Sequence, residues 1–504
     1  LAAAALLQPL HPSWHWTLAG DGDLQTVHER IKALGLAQVI NLPGWLDERA
    51  KQGALRRADV LVLPSHAEGQ PLAVLEAMAC ARPVVATDVG DIPELLACGA
   101  GRVVPVGDAQ ALAQALRVGF PHNKLERWKY APLRALAGKN FTESQAVAAI
   151  SVELPPAPRL VFVDGRYDAA RSDCSGAESL IIGTLAEALA GDDERAVAVL
   201  GREFSDVEAP FAALNTALAE DGLLIEIPEG VTLAAPLHLV FVHSETNAGS
   251  SYLRHKIECR EHSRVTLIEH HLGGGNGISN DLWHVHVKPG AQLQHLRVQN
   301  AGSAHTAFSR CDAAIAGGAE YTRLDIDGGC HYQRLELNLA LQGRDALARS
   351  GGVLWAVGNG TLDARLSARH QAPDTACELL WRGLAEDKSK VHFYGGITID
   401  AGADGSNAAL SNKNLLLGPN AQITTQPALE IHADEVKAAH GATVGQLDAN
   451  ALFYLRTRGV PEADALALLT RAFYAEALAI IDDAALRETL KSFLPARLVQ
   501  DGVA

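Results

Sequence analysis

The sequence predicts a mainly β protein, in which a long central β region follows an α/β domain and precedes a set of helices. Three observations support this prediction. Short apolar runs alternate with helical patterns up to residue 117, which is typical of parallel strands joined by helices. Period-two apolar runs then recur between residues 222 and 446. From residue 447 to 504 the apolar spacing becomes helical again.

The first region, residues 1–117, alternates between the two kinds of pattern. Apolar runs predict strands at Trp14–Ala19, Val39–Leu42, Val60–Pro64 and Pro83–Ala86. Helical spacing predicts helices at Leu24–Leu34, Leu72–Ala79 and Ala109–Leu116. Strands that alternate with helices in this way favour a parallel sheet with crossover helices.

Residues 118–221 form a mixed region, with a predicted strand at Val161–Val163 and predicted helices at Ala177–Leu189 and Ala209–Ala219. The central region shows alternating runs such as Leu335-Leu337-Leu339-Leu341, separated by turns such as Pro289-Gly290. A β-sandwich and a β-solenoid both fit this rhythm. The last region, residues 447–504, predicts helices at Ala451–Arg458, Glu462–Ile481 and Asp483–Phe493.

Composition narrows the functional classes. The formal net charge of −16 and the pI of about 5.7 argue against a nucleic-acid or anionic membrane surface. No apolar run is long enough to span a bilayer, and the apolar first ten residues lack the basic leader of a secretory signal. The seven cysteines form no CxxC pair, which fits a reducing cytosol and predicts a cytoplasmic protein.

A loop-to-helix motif lies in the first region. Glu68 and Glu76 frame the segment EGQPLAVLE, in which Gly69 lets the backbone approach a ligand and the helix N-terminus can face a diphosphate. With Gly20 and Gly22 of AGDG, this motif resembles the donor-binding half of GT-B glycosyltransferases of the retaining, nucleotide-sugar type. The resemblance implies that Glu76 holds a ribose hydroxyl pair.

The first region also departs from that family. An N-terminal acceptor domain is absent, and so are the Arg and Lys that neutralise the donor diphosphate in the family. Sugar transfer generates a diphosphate leaving group that needs such stabilisation. We therefore expect residues 1–117 to be an incomplete, inactive remnant of a donor-binding domain.

A second resemblance covers about residues 117–497. The segment 119–133 (GFPHNKLERWKYAPL) resembles the entry motif of the SufB/SufD family, and 160–167 (LVFVDGRY) resembles its next element. The segments 427–445 (PALEIHADEVKAAHGATVG) and 452–459 (LFYLRTRG) are characteristic of the SufD branch.

This resemblance implies a non-catalytic scaffold for iron–sulfur cluster assembly. It implies a right-handed parallel β-helix core, a SufB homologue as heterodimer partner and two copies of the SufC ATPase. The cluster is a transient cargo, and no cofactor is bound permanently. The resemblance places the SufC contact on the C-terminal helices, and the apolar positions predicted for it are Leu466, Leu469, Phe473, Ala477 and Ile480.

The nascent cluster is expected at the SufB–SufD interface, near the last β strands. His440 is the candidate iron ligand there, because a neutral imidazole can bind iron and increases the lability of a cluster. The sequence predicts that His440 projects from a turn before Gly441, and Lys437 and Glu430 belong to the same predicted interface. Many family members have Cys two positions before this His, whereas this chain has Ala438.

Other readings of these residues stay open. His440 could be a structural turn residue. His284 and His286 share a strand face, but no Cys or carboxylate stands beside them at ligand spacing. The rival functions are a nucleotide-sugar transferase with an accessory β domain, and an interaction module without cluster chemistry.

Overall fold

The structure is a computed structural model, and it divides the chain into two compact units. One unit is formed by Leu1–Lys129 and Leu200–Leu218, and the other by Tyr130–Val199 and Ala219–Ala504. The residues that the structure describes are 1–9, 12, 14–68, 71–80, 82–96, 101–110, 129, 131, 152–191, 199, 209–245, 249–302, 304–328 and 330–491.

The first unit is α/β, as the alternating pattern predicts. Its five strands are all parallel and form a two-stranded and a three-stranded sheet. The strands are β1 (Trp16–Ala19), β2 (Ile40–Gly44), β3 (Leu61–Leu63), β4 (Val84–Thr87) and β5 (Gly101–Val104). The helices are Ala2–Leu7, Leu24–Ala33, Glu48–Arg57, Leu72–Ala79, Ile92–Leu96 and Pro210–Leu218. Asp23 and Asp47 cap two of them by accepting from backbone N–H groups.

The second unit is built on two long sheets whose strands alternate along the chain. Sheet I contains β6 (Arg159–Val163), β7 (Arg166–Tyr167), β10 (Leu237–His243), β12 (Arg264–Gly273), β14 (Gln292–Gln299), β16 (Glu320–Asp327), β18 (Leu347–Ala356), β20 (Ala376–Ala385), β22 (Asn407–Leu416) and β24 (Lys437–Gly445). Sheet II contains β8 (Ile181–Thr184), β9 (Leu223–Ile227), β11 (Ser250–Cys259), β13 (Ile278–Val287), β15 (Thr306–Ile315), β17 (Tyr332–Leu341), β19 (Thr361–His370), β21 (Lys390–Ile399) and β23 (Gln422–Ile431). From β9 to β24 each strand pairs in parallel with the strand two places earlier or later. At the other end, β10 pairs in parallel with β6, and the pairs β6–β7 and β8–β9 are antiparallel.

The apolar rows that alternate in the sequence form the core between the two sheets. The leucines of the run at 335–341 are all buried in one cluster with residues of both sheets, such as Trp283 and Trp381. Side chains of successive strand residues point to opposite faces, so a period-two apolar run fills one face. Gly352 makes room for the indole of Trp381, since a Cβ at this position would lie 2.2 Å from the ring. The all-β prediction for this region is confirmed.

One predicted helix is partly wrong. Ala177–Leu189 was expected to be helical, but Ile181–Thr184 is strand β8 and the helix covers only Leu185–Ala190. Adjacent isoleucines favour an extended backbone. Thr184 then starts the helix through a reciprocal capping box with Glu187. The prediction for Ala109–Leu116 falls mainly outside the described residues.

Among the described residues, β24 is followed by the helices Ala449–Thr457, Glu462–Leu478 and Ala484–Lys491, here called the first, second and third C-terminal helices. The second helix packs on the outer face of sheet I, where its Tyr474 and Ala477 join a cluster with strand residues such as Leu324 and Val353. Gly351 permits the close approach, because a Cβ there would lie 2.8 Å from the carbonyl oxygen of Ala477.

Candidate functional site

The two sheets end together in an open edge formed by β23 and β24, and this pair of strands is here called the terminal edge. Among the described strands, β24 pairs only with β22 and β23 only with β21. Their other sides therefore carry backbone groups without ladder partners. Inward-facing Ile431 and Val444 are each 43% exposed at this edge. An apolar, unpaired sheet end of this kind suits a protein partner.

His440 lies within strand β24 and not in a turn, so the predicted turn position is wrong. The strand continues through Gly441, because each of its residues pairs with β22. His440 is in register with Leu410, which is buried in the core, so the imidazole belongs to the inward row of side chains. Within the part of the chain that the structure describes, no later strand covers that row, and His440 is exposed.

The structure does not gather the three predicted interface residues into one cluster. Lys437 is in register with Asn407 and belongs to the outward set, opposite in direction to His440. Glu430 lies on β23, where its carboxylate is 2.9 Å from the ring of His432. All three residues are exposed along the terminal edge, so they can contact a partner together without contacting one another.

A buried amide pair supports the terminal edge from below. Asn414 Nδ2 donates to Asn412 Oδ1 (2.6 Å) and lies 3.0 Å from the carbonyl oxygen of Thr443 on β24. Thr425 of β23 donates its hydroxyl to the same oxygen of Asn412 (2.7 Å). Both asparagines are buried between the sheets. The amide pair therefore ties both edge strands to the strand beneath them.

The predicted docking residues on the second C-terminal helix divide into two groups. Ala477 and Ile480 are buried against sheet I, and Phe473 packs on the same cluster. These three side chains hold the helix to the sheet, so they are not an exposed docking surface. Leu469 is half-buried, and Leu466 is exposed.

A more exposed apolar surface lies on the first C-terminal helix, which sequence reasoning missed. Phe453 is 68% exposed and Tyr454 is 57% exposed, and this helix packs beside the second one. Leu466 and Leu468 are exposed on the second helix. These four residues are here called the hairpin surface. The signal was present in the sequence as two adjacent aromatic residues, Phe453 and Tyr454, in a helix that has no other aromatic residue.

Ion pairs anchor the second helix in addition to its apolar contacts. Glu476 accepts from the buried guanidinium of Arg382 (2.5 Å) and from Lys413 (3.3 Å). Arg349 pairs with Asp482 just beyond the helix (2.8 Å). The helix that carries part of the hairpin surface is thus held in a defined position on sheet I.

A second polar feature lies deep between the sheets, far from any exposed position. Glu269 is fully buried and accepts from Arg323 (2.9 Å), while its other oxygen lies 3.2 Å from His271 and His295 contacts the first oxygen. Arg323 also forms a paired contact with Asp325 through two nitrogens (2.8 and 3.0 Å). We call this group the interior network.

The charges of the interior network follow from these contacts. Burial alone would raise the pKa of Glu269, but Arg323 and His295 lower the pKa to well below its ordinary value. Glu269 is therefore a carboxylate. Burial raises the pKa of the neighbouring Asp281 to about 8, so that carboxyl is protonated at neutral pH.

Stability is expected to fall as the pH drops from 6.5 towards 4.5. Burial lowers the pKa of five histidines from 6.5: His238, His271 and His370 to about 4, and His255 and His270 to about 3. In this pH window the histidines are protonated in the unfolded chain but stay neutral in the folded protein. Each of them therefore lowers the free energy of unfolding by up to about 1.4 kcal/mol for every unit by which the pH falls.

Asp281 acts in the opposite direction, because the folded state keeps a proton that the unfolded carboxyl loses above pH 3.8. Five histidines outweigh the Asp281 carboxyl up to about pH 7, and above that pH the raised pKa of Asp281 contributes a fall in stability. Urea unfolding at a series of pH values should therefore show a maximum near neutrality. A flat profile between pH 5 and 7 would contradict these histidine assignments.

The nucleotide-sugar residues predicted in the first unit have other partners. Glu76 pairs with Lys51 (2.5 Å), and Glu68 accepts from Ser65 (2.5 Å). Gly20 and Gly22 lie in the loop after β1 with positive φ angles. Gly69 lies outside the described residues.

Three cysteines lie in strands, Cys259, Cys311 and Cys377, and Cys330 lies just before β17. Cys259, Cys311, Cys330 and Cys377 are all buried, and burial raises the pKa of each thiol. His284 accepts from Arg254 Nε at 3.2 Å. Within the described ranges, no group of three or more His, Cys, Asp or Glu side chains has metal-site geometry. In the same part of the chain, no helix is long and apolar enough to cross a membrane.

Comparison with known families agrees with both resemblances. Residues 241–473 match the SufBD core domain of the SUF system for iron–sulfur cluster assembly, and residues 95–239 match the SufBD N-terminal region. Residues 1–118 match the glycosyl transferases group 1 family.

Relatives extend over most of the second unit. The Escherichia coli iron-sulfur cluster assembly protein SufD is 30% identical over 403 residues, covering 77% of this chain and 92% of that protein. A SufBD family protein of Synechocystis is 27% identical over 400 residues, covering 75% and 88%. SufD of Bacillus subtilis is 27% identical over 274 residues, covering 53% and 62%. The chain therefore belongs to the SufBD family of iron–sulfur cluster assembly proteins.

Proposed function

We propose that this chain is a non-catalytic, SufD-type scaffold subunit that forms a complex with a SufB homologue and the SufC ATPase. The nascent iron–sulfur cluster is its cargo and is held transiently at the interface with SufB. The observation that carries this proposal is the terminal edge, where His440 is exposed on β24, a strand that pairs with β22 on one side and is open on the other. Because the chain belongs to a family of iron–sulfur cluster assembly proteins, cluster assembly is the process in which such an edge would act.

The proposal includes a right-handed β-helix as the core. Strands that alternate between two parallel sheets support it, since each pair of successive strands then makes one turn of a continuous coil. Crossovers between parallel strands are right-handed in nearly all known cases. A coil of this type ends in an edge that another coil of the same type can extend.

The proposed occupant of the terminal edge is the β core of the SufB homologue. Pairing would satisfy the free backbone groups of β23 and β24 and cover Ile431 and Val444. The same contact would bring His440 against the partner. Outward-facing Lys437 and Glu430 would then contact the partner at the rim and would not act as ligands.

His440 is the proposed iron ligand on this side of the interface. A neutral imidazole binds iron, and histidine in place of thiolate raises the potential of a cluster. Ala438 lies two residues earlier in the same inward row, where it offers no thiolate. In this proposal the remaining thiolate ligands come from the SufB homologue.

The test is the substitution His440→Ala in the complete three-component complex. The complex should form normally, while its iron and sulfide content and its visible absorption fall to a small fraction of the wild-type values. Cells that depend on this system alone for cluster assembly provide the sample. His440→Cys should restore part of the signal, because a thiolate is also an iron ligand.

His432→Ala is the matched control. His432 is half exposed on the same terminal edge, but it follows β23 and pairs with Glu430. Its loss should leave the cluster content unchanged. Wild-type cluster content in the His440→Ala complex would refute the ligand role, and loss of the complex itself would show a packing role instead.

The first unit is proposed to transfer no sugar. Glu76, the carboxylate expected to hold a ribose, is already paired with Lys51, which also contacts Glu48 (2.9 Å). A nucleotide would have to break this ion pair before it could bind. The alternative function, a nucleotide-sugar transferase, is therefore the less supported one. The free thiols of the core suit a reducing compartment, and we propose the cytoplasm.

A further inference from the structure

The space between the sheets beside the interior network contains polar atoms that the protein itself does not satisfy. The following buried atoms form no hydrogen bond within the described residues: His243 Nε2, His271 Nδ1, Arg297 Nε and Nη2, Gln299 Nε2, Ser309 Oγ and Asp327 Oδ2. A buried polar group without a partner costs about 1–3 kcal/mol. So many in one place cannot be explained as an occasional defect of packing.

The strand register places these side chains together. His271, Gln299 and Asp327 occupy equivalent positions on the neighbouring strands β12, β14 and β16. Arg297 Nη1 donates to Asp327 Oδ1 (2.7 Å), whereas Nε and Nη2 of the same guanidinium do not take part in this contact. On sheet II, Ser309 is in register with Asp281.

Contacts between the sheets join the two sides of this group. His271 Nδ1 lies 3.9 Å from Asp281 Oδ2, across the interior from sheet I to sheet II. The ring of His243 lies 6.1 Å from that of His271. The separation of Arg297 Nε from Glu269 Oε2 is 3.8 Å. The 3.9 Å and 3.8 Å separations are too long for direct hydrogen bonds, but a bridging molecule can span them.

The unsatisfied atoms include both donors and acceptors. The guanidinium nitrogens of Arg297 and the amide nitrogen of Gln299 can only donate. Asp327 Oδ2 accepts, and so does His271 Nδ1, because the other ring nitrogen of this neutral histidine faces the Glu269 carboxylate. An anion would satisfy the donors alone, and a metal cation would satisfy the acceptors alone. Water is the small molecule that does both.

We propose that the interior between β12–β16 of sheet I and β13–β15 of sheet II is a binding site for a cluster of ordered water molecules. The cluster joins His271, Arg297, Gln299 and Asp327 to Asp281 and Ser309. A buried water makes about three hydrogen bonds, so about three waters are needed for the seven atoms named above. This inference does not depend on cluster assembly.

The site has a consequence for protons. Asp281 carries a proton at neutral pH, and His271 presents a free lone pair towards it. A water between them connects the Asp281 carboxyl through His271 to Glu269. The interior network is thereby extended from sheet I to sheet II by mobile hydrogen bonds.

Oxygen-17 magnetic relaxation dispersion of the full-length chain tests the site, because it counts waters held for longer than the protein takes to tumble. The wild-type chain should show such waters, and Gln299→Leu/Ser309→Ala should lose about two of them. Both substitutions remove polar atoms without changing the charge. Gln294→Leu is the control, since this glutamine lies on the outer face of β14, where it accepts from Thr266.

A crystal structure of the wild-type chain at high resolution provides the second measurement, which needs no variant to fold. Ordered water density between His271, Asp281, Arg297 and Asp327 is expected. Direct side-chain contacts that leave no room for water would overturn the proposal, as would an ion at that position. An unchanged dispersion amplitude in a folded Gln299→Leu/Ser309→Ala variant would overturn it as well.

Discussion

Replacement of Glu269 by alanine is expected to lower the free energy of unfolding by about 3–5 kcal/mol, the usual cost of removing one member of a buried ion pair. Glu269 is 0% exposed and contacts Arg323, His271 and His295. Its removal leaves the Arg323 charge with less compensation in a region of low dielectric. Urea unfolding at pH 7, with the slope checked for two-state behaviour, measures the change.

Asp374→Ala is the matched control for Glu269→Ala. Asp374 also pairs with an arginine, Arg344, but both side chains are exposed. Exposed ion pairs contribute about 0–1 kcal/mol, so the control should change little. Equal effects of the two substitutions would show that Arg323 relaxes or finds other partners. Glu269→Gln removes the charge but keeps the size of the side chain, so it separates the effect of the lost charge on the free energy of unfolding from the effect of the lost volume.

The double substitution Phe453→Asp/Tyr454→Asp is expected to weaken association with the SufC ATPase by about thirtyfold or more. Two exposed aromatic residues at the centre of a contact commonly account for about 2 kcal/mol or more of binding free energy. The aromatic rings dominate the hairpin surface, and neither is needed for the core. Calorimetric titration of the ATPase into the purified chain measures the effect.

Ala475→Asp is the control for the hairpin surface. It places one aspartate at an exposed position of the second C-terminal helix, against two in the double variant. If the double variant bound the ATPase with full affinity, the hairpin surface would not be the ATPase contact. A point substitution is preferable to deletion of these helices, because deletion would uncover the apolar outer face of sheet I at residues such as Ile326, Val353 and Leu384.

The local pattern of the sequence predicts much of the fold because the core side chains alternate with strict regularity. The leucines of 335–341 define both the strand and its inward face, and the structure confirms both. Periodicity cannot decide which strands pair. Periodicity therefore leaves the choice between sandwich and solenoid open, since that choice depends on contacts between strands far apart in the chain.

The interior network shows a different limit. Glu269, Arg297 and Arg323 occupy inward positions that the alternating pattern assigns to apolar residues. Read locally, a charged residue in a strand predicts an outward face. Glu269 and Arg323 meet only through two steps of strand pairing, by way of β14. The local sequence around either residue therefore cannot predict the contact between them.

The error at His440 has a similar origin. Glycine after histidine suggested a turn. In the structure, pairing with β22 holds the backbone extended through Gly441, and this pairing outweighs the local preference. Ala477 and Ile480 also follow a helical apolar pattern that identifies a buried face, but the pattern does not say whether sheet I or another protein covers it.

The order of the strands has a consequence for biosynthesis. In the core each strand pairs with the one two places before it, so the pairing partner of every new strand has already left the ribosome. Stacked architectures of this kind can grow outward from one nucleus by neighbour contacts alone. Strands β23 and β24 are made last, so a nascent chain interrupted before them would lack the surface proposed to receive the partner. Under the proposed function, only a chain completed through β24 could present this edge to the SufB homologue.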